Sequence, residues 1–556
     1  MSATTRIALK ALALSASSLA MMHAAPAMAQ VEEIIVTAQK VKENVQDVPI
    51  AITAVSGDRL DQAVVFNLEN ISAIVPSVTF RKGTTGANSA IVMRGVGTIT
   101  FSIAAEPSVS TVVDGVVLSR SGQAFLDLVD IERLEVLRGP QGTLFGKNAS
   151  AGLVNIVSKG GSDTFEAEAS LDYFEGDEVR MKAALAGPLS DNLTARVTGF
   201  YGTFDGNITN VNQGGKREVN GYKRFGTRGI LDYSNGGTEL RLIADYFESD
   251  DNCCADVTAV SRGAVLDAEL GLPGGSAQGE DQRFVNHNLV TATRDRQWSL
   301  TGSGDFALGE THTLSVILGY RNWFNEEFRE GDFLPRAIVG TGELHDNGVV
   351  RTEQYSAEVR IASDQTKPFF YQVGGFAWQS DNSQVFTRRN ITCASSTLPV
   401  DPLTGARPCN TADTVNTIFP TATSFSDVTS KNFALFGQAT YRFTDKLSLT
   451  GGLRYTWDDL EFTHTRAPGV NAFNGLPATG PGVSGAPAGG TIASGGNGTN
   501  TSAGSTDNGN ISGRAVLQFE PTDDIMLYGS FTRGYKGPAF NVFFNHTAPT
   551  NAIPID

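Results

Sequence analysis

"LSLTGGLRYTW", residues 447–457, places Leu447, Leu449, Leu453, Tyr455 and Trp457 on one face of an extended chain. Ser448, Thr450, Arg454 and Thr456 fall on the other. A period of two with an apolar, aromatic-ended face is what a half-buried strand at a membrane interface requires. The pattern recurs outward from this point. In "FALFGQATYRF" (433–443), Phe433, Leu435, Ala439, Tyr441 and Phe443 oppose Gln438, Thr440 and Arg442. "TELRLIADYF" (238–247) and "IMLYGSFT" (525–532) repeat it. A soluble sandwich also alternates, so segment length and loop asymmetry must decide. About thirteen such segments of roughly ten residues run from Phe165 to Lys536, the span of a tilted membrane strand. Short turns ("GPLSDN" 187–192, "SNGG" 234–237, "TDK" 444–446) alternate with long polar loops near 250–295, 325–350, 383–429 and 459–510. Short turns on one rim and long loops on the other favour a membrane barrel. The stretch 489–510 reads as a low-complexity loop.

Upstream, the first residues have the parts of a secretory leader. Arg6 and Lys10 are its charges, Ala11 to Met22 its apolar core, and Ala27-Met28-Ala29 its cleavage pattern, so residues 1–29 are expected to be removed. The apolar core is shorter than the roughly 20 residues of a membrane-spanning helix. The net charge of −16 offers no basic nucleic-acid surface. All four cysteines sit in long loops. Cys393 and Cys409 could close a loop in an oxidising compartment, whereas a bond between the neighbours Cys253 and Cys254 would be strained. The six histidines are scattered, and none has ligand spacing with a cysteine.

Between the leader and the strands, residues 49–160 read as a small mixed α+β domain. "IAITAVS" (50–56) is a strand, with Ser56 or Asp58 capping a helix "DRLDQAVVFN". Asp114-Gly115 supplies the tight turn of a hairpin within "VSTVVDGVVLS". "IERLEVLRG" enters a turn at Gly139-Pro140-Gln141-Gly142, and "AGLVNIVSK" closes the domain. Glycines at 95, 139, 142 and 146 are expected to set backbone turns rather than touch a ligand. "GPQGTLFGK" lacks the Gly-Lys-Ser/Thr ending of a phosphate loop, so nucleotide binding is rejected.

Five blocks together resemble the TonB-dependent outer-membrane receptors, siderophore receptors included. They are "IIVTA" (34–38), "IVMRGVG" (91–97), "VDGV" (113–116), "ERLEVLRGPQGTLFGKNASAGLVNIVSK" (132–159, containing Asn155) and "LYGSFTRGYKGPAFN" (527–541). The resemblance implies an N-terminal plug inside an antiparallel transmembrane β-barrel, with 22 strands in the complete family fold. It divides the chain into a leader (1–29), a TonB box and linker (30–48), a plug (49–160) and part of a barrel (161–556). It implies that Glu33, Ile34, Ile35, Val36, Thr37 and Ala38 pair as an added strand with TonB, acting with ExbB–ExbD. The β preference of Ile34 to Thr37 agrees with strand addition, so residues 30–48 are expected to be extended and poorly packed. The resemblance further implies that Arg94 and Arg138 face barrel-wall glutamates, with solvation of turn ends as the plainer reading.

A monomer in the Gram-negative outer membrane, without cofactor or catalytic residue, follows from the resemblance. So does energised uptake of a scarce solute, a ferric siderophore first. An oligosaccharide, cobalamin, an aromatic metabolite or a non-transport adhesin remain open. The chain stops at "NAIPID" without a final aromatic-ended strand. It is therefore read as a fragment or truncation, with an open sheet and unpaired edges near Phe165 and Lys536.

Overall fold

The computed structural model describes residues 34–544 except 82, 84–85, 125–126, 213–217, 276–278, 414, 468–469, 472–499 and 523–524. The leader, Glu33 and the first half of the 489–510 stretch, residues 489–499, lie outside the described residues.

Alternating side chains build one long antiparallel sheet. Its path of thirteen strands runs from Glu166–Phe174 to Ile525–Arg533, each strand paired with its neighbour, with two short strands attached at the side. On Leu447–Arg466 the alternation is nearly unbroken: Leu449, Leu453 and Trp457 are exposed, whereas Thr450, Arg454 and Thr456 are buried. The exposed face is apolar around the sheet, as a lipid-facing wall must be. Trp298, Tyr320 and Tyr355 stack across neighbouring strands at 4.8 and 5.0 Å between ring centroids. Phe433 pairs with Trp457 in the same belt, and Phe369 pairs with Tyr441 nearer the short turns. Eight residues separate Phe433 from Tyr441. At about 3.4 Å each that is about 27 Å along the strand, and about 20 Å once tilted, close to the height of an outer-membrane band.

The long-loop rim differs from expectation. Strands Glu343–Ser363, Phe369–Cys393 and Pro420–Thr444 run 21, 25 and 25 residues, so the connections shrink to 331–342 and 394–419. Polar residues on both faces read as loop but continue the ladder beyond the membrane. Residues 500–510 likewise belong to the strand Asn500–Thr522, paired with Leu447–Arg466. There the small residues make room: a Cβ on Gly504 would lie 2.7 Å from the Phe462 ring, and one on Gly509 2.5 Å from the Tyr455 hydroxyl. Among the described residues the first and last strands of the path do not pair with each other.

Inside the sheet lies the N-terminal domain. Its five-stranded mixed sheet has the order Ile52–Ser56, Ile131–Arg138, Gly152–Ser158, Val109–Val113, Val116–Val117. Val109–Val113 runs parallel to Gly152–Ser158, and the other pairings are antiparallel. The helix following Ile52–Ser56 is shorter than expected, Gly57–Gln62, and Ser56 caps it by accepting from the Arg59 N–H. Leu60, Leu68, Ile71, Met93, Leu134 and Val154 fill the core between this sheet and the segments covering it.

Candidate functional site at the plug and barrel wall

The β-prone segment at the start of the described chain is folded down, not extended. Ile35–Val36 pairs antiparallel with Glu43–Asn44 as a separate two-stranded ribbon. Lys40, in the left-handed region at φ 60°, closes the turn by donating its N–H to the Thr37 carbonyl at 2.8 Å. Val36 and Ala38 are buried against Val112, Leu137 and Leu153 of the plug. Thr37 donates its N–H to Glu135 at 2.9 Å. That carboxylate is fully buried and also accepts from Arg133 (2.8 Å) and Asn155 (3.1 Å). Poor packing was expected because the sequence shows β preference and no partner. The partners are Glu43 and Glu135, one nearby and one about a hundred residues on. Only Ile35 leaves a large face to solvent.

The next two residues fasten this segment to the wall. The Gln39 carbonyl accepts from Gln372 at 3.0 Å, and its side-chain oxygen accepts from Gln438 at 3.1 Å. The Lys40 ammonium pairs with Glu358 and lies over the Phe145 and Phe436 rings. Burial lowers the Lys40 pKa to about 8 despite Glu358. Burial raises that of Glu43 to about 7, against the hydrogen bond from Gln39. All these contacts lie toward the short-turn rim, the periplasmic side of an outer-membrane barrel.

Buried ion pairs also hold the plug to the wall. Arg196 on the wall makes two hydrogen bonds to Asp130, at 2.7 and 2.6 Å. Burial pushes the Asp130 carboxyl up, but Arg196 and Thr198 outweigh it and hold it below the ordinary carboxylate range. Arg224 spans plug Asp127 (3.1 Å) and wall Asp251 (2.7 Å). Lys147 on the plug reaches Glu106 at 3.0 Å and wall Asp458 at 2.9 Å. These pairs correct the expectation for Arg94 and Arg138. Arg94 is exposed at φ 50°. Arg138 donates to Thr53 and has Arg94 beside it. Neither meets a barrel carboxylate among the described residues. At Asp130 and Asp127 the wall supplies the arginine and the plug the aspartate, the reverse of the expected polarity, whereas Lys147 and Lys40 are plug cations on wall carboxylates.

Glycines allow the close fit. Gly95, Gly139 and Gly146 have φ between 82° and 85°, as turns demand. The Asp114-Gly115 turn has φ of 49° and 85°, and Asp114 also accepts from the Ser158 N–H and hydroxyl. Gly142 does not set a turn by positive φ. It starts the short helix Gly142–Phe145 against the wall, where a Cβ would lie 3.3 Å from Ser512. A Cβ on Gly146 would lie 2.8 Å from the Arg454 guanidinium, and one on Gly534 2.9 Å from Pro140.

On the long-loop rim Cys393 is bonded to Cys409. Cys253 is bonded to its neighbour Cys254, the pairing whose strain the sequence reading notes. Glu330, Asp332 and His345 bring ligand atoms within 4.8 Å of one another. Glu330, however, accepts from the N–H groups of Leu289, Asp332 and Phe333 and lies 3.3 Å from His345. That group ties loops together rather than offering open ligands.

A membrane barrel wall around a plug bonded to its inner face is the architecture of a plugged outer-membrane barrel. The sequence matches the TonB-dependent receptor plug domain over residues 44–153 and the TonB dependent receptor-like β-barrel over residues 256–554, more than half the chain. The chain belongs to the TonB-dependent outer-membrane receptors. It is 31% identical to the pesticin receptor of Yersinia pestis over 202 residues, covering 35% of this chain and 27% of that one. With the ferrienterobactin receptor of Escherichia coli the identity is 24% over 375 residues, covering 62% and 45%. The fold is similar to the crystal structure of the ferric yersiniabactin uptake receptor from Yersinia pestis. There the TM-score is 0.69 and the identity 20%, covering 91% of this chain and 67% of that one. The chain spans less than half the length of the curated relatives it matches.

Proposed function

We propose that the complete receptor carries out TonB-energised uptake of a ferric siderophore across the outer membrane. The carrying observation is a lumen stoppered by a plug bonded to its wall, with a β-prone strand tucked against it on the periplasmic side. Buried pairs such as Asp130–Arg196 are costly to break by removing one partner, about 3–5 kcal/mol each, so passage through the lumen calls for work from outside the barrel. Strand addition to Ile34–Ala38 supplies a handle for that work. Ile34 to Ala38 would leave the Glu135 pocket and, together with Glu33, pair with TonB, driven with ExbB–ExbD by the inner-membrane proton-motive force. A monomer suffices for this cycle. The substrate class rests on relatives whose names specify ferric enterobactin and ferric yersiniabactin.

The test is iron-chelate uptake by cells bearing the complete receptor with Ile35→Pro. Proline removes an N–H and blocks ladder pairing. Loss of uptake with surface display intact is the expected result. Unchanged uptake would refute the TonB role, and iron-independent adhesion without uptake would favour an adhesin.

A further inference from the structure

We propose that Arg466 is a specificity-determining residue: with the hydroxyls of Ser424 and Ser502 it forms a subsite on the inner wall for an anionic oxygen group of the imported solute. The proposal rests on the uptake reading and narrows its cargo to negatively charged ferric chelates.

Arg466 ends the strand Leu447–Arg466 at the long-loop rim, and alternation turns it inward with Phe462 and His464. Phe462 stacks on Phe540 at 4.7 Å, and Phe540 donates its N–H to the Ala104 carbonyl of the plug at 3.2 Å. His464 and Arg466 follow further out along the same face, so a solute entering from outside reaches them before the plug. Across the ladder Arg466 faces Ser424, and His464 faces Ser426 and Ser502. Ser502 is thus a diagonal neighbour of Arg466, within reach of a long side chain. All five residues are buried and none is a carboxylate.

The contrast with Arg388 decides the reading. Both guanidiniums lie against the Phe544 ring, Arg388 at 5.2 Å and Arg466 at 5.6 Å. Arg388 is neutralised by Asp346 through two hydrogen bonds, at 2.8 and 2.9 Å. Arg466 is only 3% exposed and meets no carboxylate among the described residues; its hydrogen-bond partner there is the Phe544 carbonyl, at 3.4 Å. A guanidinium stays charged, and a charge this buried is ordinarily paired. The hydroxyls beside it are also open. Ser502 has no partner among the described residues, and Ser424 reaches only the Phe386 carbonyl, at 3.5 Å. His464 is held between them by Ser426 at 2.8 Å. One uncompensated cation ringed by open donors matches the lone pairs of a carboxylate or phenolate.

The experiment is equilibrium binding to the purified complete receptor in detergent, without TonB. Two iron(III) chelates serve as probes, the anionic tris-catecholate and the neutral tris-acetohydroxamate, with inorganic phosphate as a third. The unaltered receptor should bind the anionic chelate more tightly than the neutral one. Arg466→Gln should weaken the anionic chelate by about tenfold or more, the loss of one charge-assisted hydrogen bond, and leave the neutral one unchanged. Arg466→Lys, which keeps the charge, should restore part of that affinity. Ser502→Ala should act in the same direction more weakly, which covers poor folding of Arg466→Gln. Equal affinity of the unaltered receptor for both chelates would overturn the proposal, and so would an Arg466→Gln loss shared by the neutral one. Phosphate that binds through Arg466 while leaving the anionic chelate in place would assign the site to a free inorganic anion, and would overturn it too. TonB does not enter this readout, so its failure leaves the uptake reading standing, and failure of the Ile35→Pro test leaves the binding preference intact.

Discussion

Docking of the Ile34–Ala38 strand should be weakest near neutral pH and strengthen in both directions. Two groups set this, and their signs differ. Glu43 is raised from about 4.5 to about 7 when docked. The docked state then binds a proton that the released segment has given up. Its contribution is complete below about pH 4.5 and is lost as pH rises through 7. Lys40 is lowered from about 10.5 to about 8. Here the released segment binds the extra proton, so docking gains as pH rises from about 8 toward 10.5. Each limb has an upper bound of about 3 kcal/mol from these displacements. Glu43 retains partial contact with solvent, which reduces its limb to about 1–2 kcal/mol. A nitroxide on Ile35→Cys, a position already 41% exposed, reports release as sharpened spectral lines. Mobility should peak between about pH 7 and 8. Glu43→Gln should flatten the acid limb, and Lys40→Met the alkaline one. A profile flat from pH 5 to 10, or one with least mobility at neutral pH, would refute the assignment of these two groups.

Four further outcomes follow from single contacts. Asp130→Asn leaves Arg196 without its bidentate partner and should lower plug stability by about 3–5 kcal/mol in urea unfolding; a loss under 1 kcal/mol would contradict burial of the pair. Gly152→Ala would place a methyl 2.1 Å from the Met93 sulfur and 2.6 Å from the Leu137 carbonyl, and should cost at least about 1–3 kcal/mol by the same measurement. Leu453→Arg puts a charge on the lipid face and should weaken folding into bilayers by about 2–4 kcal/mol. Replacing Cys393 and Cys409 by serine should loosen the 394–408 loop by about 3 kcal/mol, seen as protease cleavage there with the barrel intact.

The wall was legible in sequence because its signal is local. Alternation at Leu449, Leu453 and Trp457 needs no knowledge of neighbours, since lipid alone selects the outward face. The hairpin at Asp114-Gly115 was legible for the same reason, as two positive φ values demand those residues. Strand length was misjudged where the outward face meets water. Ser, Asn, Thr and Gly at 500–510 carry no apolar stripe, and only backbone pairing with Leu447–Arg466 makes them strand.

The plug contacts were misread for a different reason. An inward position in a barrel strand is polar whether it faces water or a buried partner, so alternation identifies Arg196 and Arg224 as inward without saying what they meet. Asp127 and Asp130 look like ordinary turn acids until the fold sets them opposite those arginines. Arg94 and Arg138 drew attention through the motif around them, yet one is exposed and the other bonds a neighbouring plug threonine. The same ambiguity hid the state of the Ile34–Ala38 strand. Its β preference is real, but such a segment can equally pair with its own chain, and Glu43–Asn44 is within a few residues' reach. A short ribbon held by one buried carboxylate and one wall-bound lysine can be both folded and releasable. It makes only a few bonds, and Lys40 and Glu43 are held with their charged forms disfavoured, so leaving the pocket recovers solvation that docking had taken away.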